Sequence, residues 1–291
     1  MAGYRPRLHS RIYLSIICLF IFNCEQELVF DNPLDQSNNP DFIEPETTVL
    51  TAINGLTIDS SAMAIEVSGN ENVSYFSYKL DDKAWKDTNK DQNPAIIVLD
   101  YLDEGNHLLS VKARYAGGQE DLTPEQISFT VDAMQGPGLR IFPLLSEITL
   151  QDTNNTALDT IGVSIYAEDI DSVVFGEITI NFDNTNLEYT AYENGSMLNV
   201  SEDNLILFVD SDSTISQTEI KVTFATDFTS QMGITGSGSL IKLFFTAIDT
   251  VEAEIDIEIG DISSLRNFEN DKLIWPEKWK LNGKIIIFDD K

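Results

Sequence analysis

From Thr47 to Phe288 the chain repeats one pattern: short apolar runs of period two, broken by Asp, Asn, Gly and Pro. Successive side chains on a strand point to opposite faces, so period two buries one face and wets the other. "TTVLTAI", "AMAIEV", "VSYFSYKLD", "AIIVLDYL", "HLLSVKARY" and "ISFTVDA" follow one another as β-branched or aromatic segments. In "HLLSVKARY", Leu109, Val111, Ala113 and Tyr115 share one face, and Ser110, Lys112 and Arg114 the other. Strands at this spacing predict an all-β chain built from two sandwiches in tandem. "AMQGPGLR" places Gly136, Pro137 and Gly138 between them, which predicts a boundary there. The first sandwich is expected over 47–133 and the second over 139–288.

The second half repeats the logic with longer strands. In "FGEITINFDNTNLEY", Ile178, Ile180 and Phe182 point one way, and Thr179, Asn181 and Asp183 the other. "DNTN" reads as a turn in which Asp183 bonds nearby backbone. Upstream, "IGVSIYAEDI" puts Ile161, Val163 and Ile165 on one face; downstream come "NLILFVD", "EIKVTFAT", "GSGSLIKLFFTAI" and "AEIDIEIGDI". The dipeptide Asn282-Gly283 predicts a closing hairpin.

The N-terminus carries a different signal. Arg5, Arg7 and Arg11 precede "IYLSIICLFIF", an apolar run of eleven residues ending at Phe22. A basic leader and a short apolar core are the plan of a secretory signal, predicted over 1–23. A membrane span needs about 20 apolar residues. Cys24 follows directly and resembles the lipobox of bacterial lipoproteins, in which that cysteine becomes the lipidated first residue. Asn23 departs from the small residue usual before the cysteine, so an uncleaved signal anchor stays open. Residues 24–46 hold Pro33, Pro40 and Pro45 among acids and amides, which predicts an extended acidic tether.

Charge and residue supply exclude several classes. The chain has 48 acidic residues against 18 Lys and Arg, a net charge of -30. Such a surface repels nucleic acid, and no nucleic-acid partner is expected. Both cysteines, Cys18 and Cys24, precede the sandwiches, so no disulfide staples either of them. His107 is the one histidine beyond the leader and begins a strand without a catalytic partner in its pattern. The acid-rich loops from Asp87 and Asp152 lack the glycine and glutamate of a calcium loop. No metal, cofactor or enzymatic activity is expected.

Two resemblances rest on these segments. "YKLDDKAW", "LDEGNHLLSVKARYAGGQED" and "SFTVD" resemble bacterial immunoglobulin-like and fibronectin-type modules. The order of "ITINFDNTNLEY" and "GSGSLIKLFFTA" is similar to the cohesin family, nine-stranded jelly rolls within the wider class of carbohydrate-binding-module-like sandwiches. Leu240, Leu243, Phe245 and Ala247 fit the family's core spacing, and Gly236 and Gly238 its small positions. Asn184 stands where a proline often follows the Asp, and "WPEKWKLNGKIIIFDD" matches only in part.

The cohesin resemblance implies non-covalent binding through a flat sheet face. A dockerin-like protein or a polysaccharide is the implied partner, with the membrane touched only through a lipid anchor. The chain is thus expected to be an exported, cell-surface scaffolding lipoprotein, or else a carbohydrate-binding surface protein or a spacer in an envelope assembly. Thr179 and Asn181 are outward positions on the sheet. Phe244 lies opposite Phe245, so one of the two approaches the surface. Trp275 and Trp279 offer a sugar-stacking platform or pack the last hairpin.

Overall fold

The computed structural model describes residues 41–150, 160–198, 205–226, 233–248, 251–269, 272–273 and 279–289, with residues 34, 36, 37 and 39 before them. All regular structure among the described residues is β. The first group of strands is β1 (Thr47–Val49), β2 (Thr57–Ile58), β3 (Met63–Gly69), β4 (Val73–Leu80), β5 (Lys86–Asp87), β6 (Ala95–Leu99), β7 (Gly105–Tyr115) and β8 (Glu125–Val131). They form two sheets, ordered β1-β3-β6 and β2-β8-β7-β4-β5.

Period two does its work here as expected. Ala95, Ile97 and Leu99 of β6 are buried while Ile96 and Val98 face water. Ile65 and Val67 meet Phe76, Leu109, Val111 and Phe129 across one hydrophobic cluster. A buried polar link also joins the sheets. The Thr47 hydroxyl donates to Asp121 Oδ2 at 2.7 Å and accepts the Ala113 N–H at 2.7 Å. The described end of the acidic tether is not free. Phe42 sets its ring edge-on to Tyr115 at 6.2 Å, and the Tyr115 hydroxyl donates to the Ile43 carbonyl at 2.9 Å.

The second group is β9 (Gly138–Phe142), β10 (Leu145–Leu150), β11 (Thr160–Phe182), β12 (Leu187–Asn194), β13 (Leu205–Ser213), β14 (Thr218–Thr226), β15 (Ile234–Ala247), β16 (Ala253–Ile259), β17 (Ser264–Asn267), β18 (Lys272–Leu273), β19 (Lys280–Leu281) and β20 (Gly283–Asp289). The long β11 serves both layers. Its first half pairs with β9 and β15, and its second half with β14, β16 and β17. One layer therefore runs β19-β9-β11-β15-β12, and the other runs β10-β20-β16-β11-β14-β13 with β17 beside β16 on the same edge of β11. Their inner faces share one core, in which the Phe182 and Phe245 rings meet edge-to-face at 5.2 Å.

The sequence reads β11 as two strands, and the structure shows what joins them. Asp169 and Ser172 take positive φ, 49° and 53°, so the strand turns a corner between the layers. The corner's free N–H groups are met from β15: Asp169 N donates to Ser237 Oγ at 2.9 Å and Ser172 N to Thr235 Oγ1 at 3.0 Å. Gly236 lies between those two hydroxyls at φ 104°, a conformation that a side chain would strain.

The closing hairpin does not form. β19 pairs in parallel with β9, while β20 pairs with β16 and β10. Asn282-Gly283 instead carries the chain from one layer to the other. Asn282 Oδ1 accepts the Ile259 N–H at 2.9 Å, and a Cβ on Gly283 would come within 2.5 Å of Ile141 Cγ2. Close packing, not a type I′ turn, is what asks for glycine there.

The loop before β7 holds the segment that links the two clusters. Asp103 Oδ1 accepts the Leu144 N–H at 2.8 Å, and Glu104 Oε1 accepts the N–H groups of Ala133 and Met134, each at 2.9 Å. Burial holds both carboxyls above their ordinary range, opposed in part by these same bonds. A folded-state pKa above the unfolded value means that the folded chain binds the proton more tightly. That stabilisation is complete below the ordinary aspartate range and is lost as pH rises through the raised value. Asp103→Asn, which keeps the acceptor and removes the charge, is therefore expected to raise the melting temperature relative to wild type more at neutral pH than at about pH 3.5. An equal shift at both pH values in thermal scans would rule out this account.

A candidate binding face on the β13-β14-β11-β17 sheet

Alternation fixes which side chains of this layer look outward. On β14, Ile220, Val222 and Phe224 are buried, so Glu219, Lys221 and Thr223 lie on the solvent side. The register sets Phe208 of β13 opposite Thr223, and Ile206 opposite Ala225. On the far side of β14, Phe175, Glu177, Thr179 and Asn181 of β11 continue the same rows. The Lys221 ammonium pairs with the Glu177 carboxylate across β14 and β11, and that carboxylate raises the Lys221 pKa.

The edge strand gives this face its character. Ile206 is 57% exposed and Phe208 66% exposed, side by side on the outer face of β13. Ile262, 63% exposed, stands on the loop between β16 and β17 at the opposite margin. Two outward apolar residues on an edge strand have no role in this core, because Leu207 and Val209 already supply β13's inward contacts. The face is apolar at its margins and polar between.

Several expected positions move. Thr179 does point outward, but it is 1% exposed. The loop from Gly260 to Ser263 folds over it: Thr179 N donates to Ser263 Oγ at 3.0 Å, and Thr179 O accepts the Gly260 N–H at 2.8 Å. It supports the face from beneath and is not a contact residue, whereas Asn181 is half-buried and stays near the surface. Asp183 is a turn residue as read, its carboxylate accepting the Thr185 N–H at 2.8 Å; the Thr185 hydroxyl first and this N–H second pull its pKa down. Asn184, the departure from the usual proline, ties this turn to the β13–β14 connection. Its Nδ2 donates to Thr214 O and Thr218 Oγ1, each at 3.1 Å.

Phe244 and Trp279 are not on this face. Phe244 lies on the outer surface of the other layer, half-buried, with the Lys242 ammonium 5.2 Å over its ring. Trp279 is half-buried at the start of β19, beside β9. Cys24 and Trp275 lie outside the described residues. The residues missed at the sequence level are Ile206, Phe208 and Ile262. For Ile206 and Phe208 the signal was present in "NLILFVD", an unbroken apolar run where a half-buried strand should alternate.

Comparison with known proteins agrees on the segment. Residues 146–285, just under half of the chain, match the family model described as the cohesin domain. That part of the chain resembles the cohesin domain and is all-β among the described residues. Among solved structures, a non-cellulosomal cohesin from the hyperthermophilic archaeon Archaeoglobus fulgidus is 16% identical, covering 52% of this chain and 90% of its own, with a TM-score of 0.37. The sixth cohesin of Acetivibrio cellulolyticus scaffoldin B, solved in complex with the Cel5 dockerin, is 15% identical over 52% of this chain and 98% of its own, with a TM-score of 0.40. A type I cohesin-dockerin complex from Clostridium thermocellum contributes a third, 18% identical over 53% and 96%, with a TM-score of 0.39. No curated protein matches.

Proposed function

We propose that the chain is an exported scaffolding lipoprotein whose cohesin-like module holds a dockerin-like module of another protein. The observation that carries this reading is the exposed pair Ile206 and Phe208 on the outer face of β13, within the segment that matches the cohesin family. Cohesins bind through a flat sheet face, and the β13-β14-β11-β17 face offers apolar margins around a polar centre. Stable protein interfaces bury about 800 Å² per partner, more than two side chains supply. Phe175, Lys221, Asn181 and Ile262 would extend the contact across the sheet.

In this reading the residues divide by task. The sandwich over 47–133 is a spacer, and the module over 139–288 does the binding. Lipidation at Cys24 would hold the assembly at the cell envelope. Fatty-acid labelling of wild type and Cys24→Ala tests the anchor, and equal labelling of the two removes it. The binding reading is tested with residues 139–288 as bait in the secreted proteins of the cells that make it. Recovery of a protein carrying a dockerin module is the expected result. Recovery of envelope proteins alone, or retention by polysaccharide, overturns it.

A further inference from the structure

A second surface lies on the other half of the molecule and does not depend on the reading above. β6 is the outer strand of the sheet β1-β3-β6, and β3 is its one strand partner among the described residues. An edge strand offers a row of unpaired N–H and C=O groups to any extended chain. Proteins blunt such edges with a bulge, an edge proline or a lysine. β6 reads "AIIVL" and pairs with β3 in unbroken register from Met63↔Leu99 to Val67↔Ala95. It carries no charge, and Ile96 (64% exposed) and Val98 (57% exposed) stand on its open face.

Beside this edge is a cleft of about 320 Å³, between β6 and the second group of strands. Val98, Leu99 and Tyr101 form one wall, and Leu145 and Ile286 face them. Lys83, Lys86 and Lys284 also line it. Three lysines in one cleft are conspicuous in a chain with 18 Lys and Arg against 48 acids. Lys284 is held by Glu254 at 2.9 Å, and Lys86 is 3.6 Å from Glu147. Lys83 has no carboxylate within ion-pair distance among the described residues, and Asp100 is the other acid of the lining.

We propose that the β6 edge and this cleft form a docking surface for an extended acidic segment of a partner protein, which adds beside β6 as a fourth strand. Main-chain bonds to β6 would hold the segment, an apolar side chain would enter the cleft, and a carboxylate would meet Lys83. The lining selects this occupant over a second copy of the chain, because a copy's β6 has no carboxylate to present to Lys83, while the chain's net charge of -30 bears on both occupants alike. At physiological salt that net charge is screened beyond about 8 Å, so the nearby lysines decide the contact.

The test uses the full exported chain and a fluorescein-labelled peptide, Asp-Ile-Glu-Val-Asp-Val-Glu, followed by polarisation. Binding is expected, weakened at least about tenfold by Lys83→Glu or by Val98→Asp, both at exposed positions and checked for folding by circular dichroism. The same peptide N-methylated at alternate amides is expected not to bind. Equal binding of the N-methylated peptide, equal binding of a lysine counterpart, or no binding overturns the proposal. So does a concentration-dependent dimer in sedimentation that Val98→Asp dissolves, since a second copy would then occupy the edge.

Discussion

Phe245→Ala is expected to destabilise the chain by about 3–5 kcal/mol, while Phe244→Ala, one residue earlier, costs less than about 1 kcal/mol. Phe245 is fully buried between the layers, edge-on to Phe182 at 5.2 Å and to Tyr189 at 6.2 Å. Truncation leaves a cavity that close-packed neighbours on two sheets cannot fill, so the lost transfer free energy and the cavity term add. Phe244 is half-buried on the outer face with Lys242 across its ring, so its truncation leaves a notch open to water and no enclosed cavity. Guanidinium unfolding of the two variants measures the contrast, read as a lowered midpoint at unchanged slope. A reversed order of the two midpoints would mean that β15 is turned over, and equal midpoints would rule out this account.

The replacement of Ile206 and Phe208 together by serine is expected to weaken binding of the recovered partner by at least about 30-fold, as two apolar anchors of about 1–2 kcal/mol each imply. Stability should change by less than about 1 kcal/mol, because both side chains are mostly in water already. Surface plasmon resonance of wild type and variant against the same partner reads the first effect, and thermal unfolding reads the second. Undiminished affinity in a folded variant would move the binding face elsewhere, with Phe244 on the opposite layer as the next surface to vary. A large loss of stability would instead make Ile206 and Phe208 structural.

Much of this was legible in the chain before any coordinates. Strand identity was, because period two leaves little choice: Leu109, Val111, Ala113 and Tyr115 are all buried as their alternation requires. The cohesin-like order of "ITINFDNTNLEY" and "GSGSLIKLFFTA" was also legible, and the family match over 146–285 agrees with it. The binding face was not. Alternation separates inside from outside on an isolated strand, but it does not say what a distant loop will lay over the outside. Thr179 was read as outward, and outward it is, yet Gly260 and Ser263 cover it from more than eighty residues away.

Local sequence therefore determined the strands, their buried faces and the all-β class, since each follows from side-chain spacing against a core. Tertiary structure decided what pairs with what. Asn282-Gly283 has the composition of a hairpin turn, but its neighbours bond to β9 and β16 and draw the two strands into different layers. "NLILFVD" and "AIIVL" read alike as apolar strands, and only their placement at sheet edges leaves Phe208 and Val98 open to a partner. The physical reason is that pairing energy comes from the neighbouring strand, and the neighbour lies far away in the sequence.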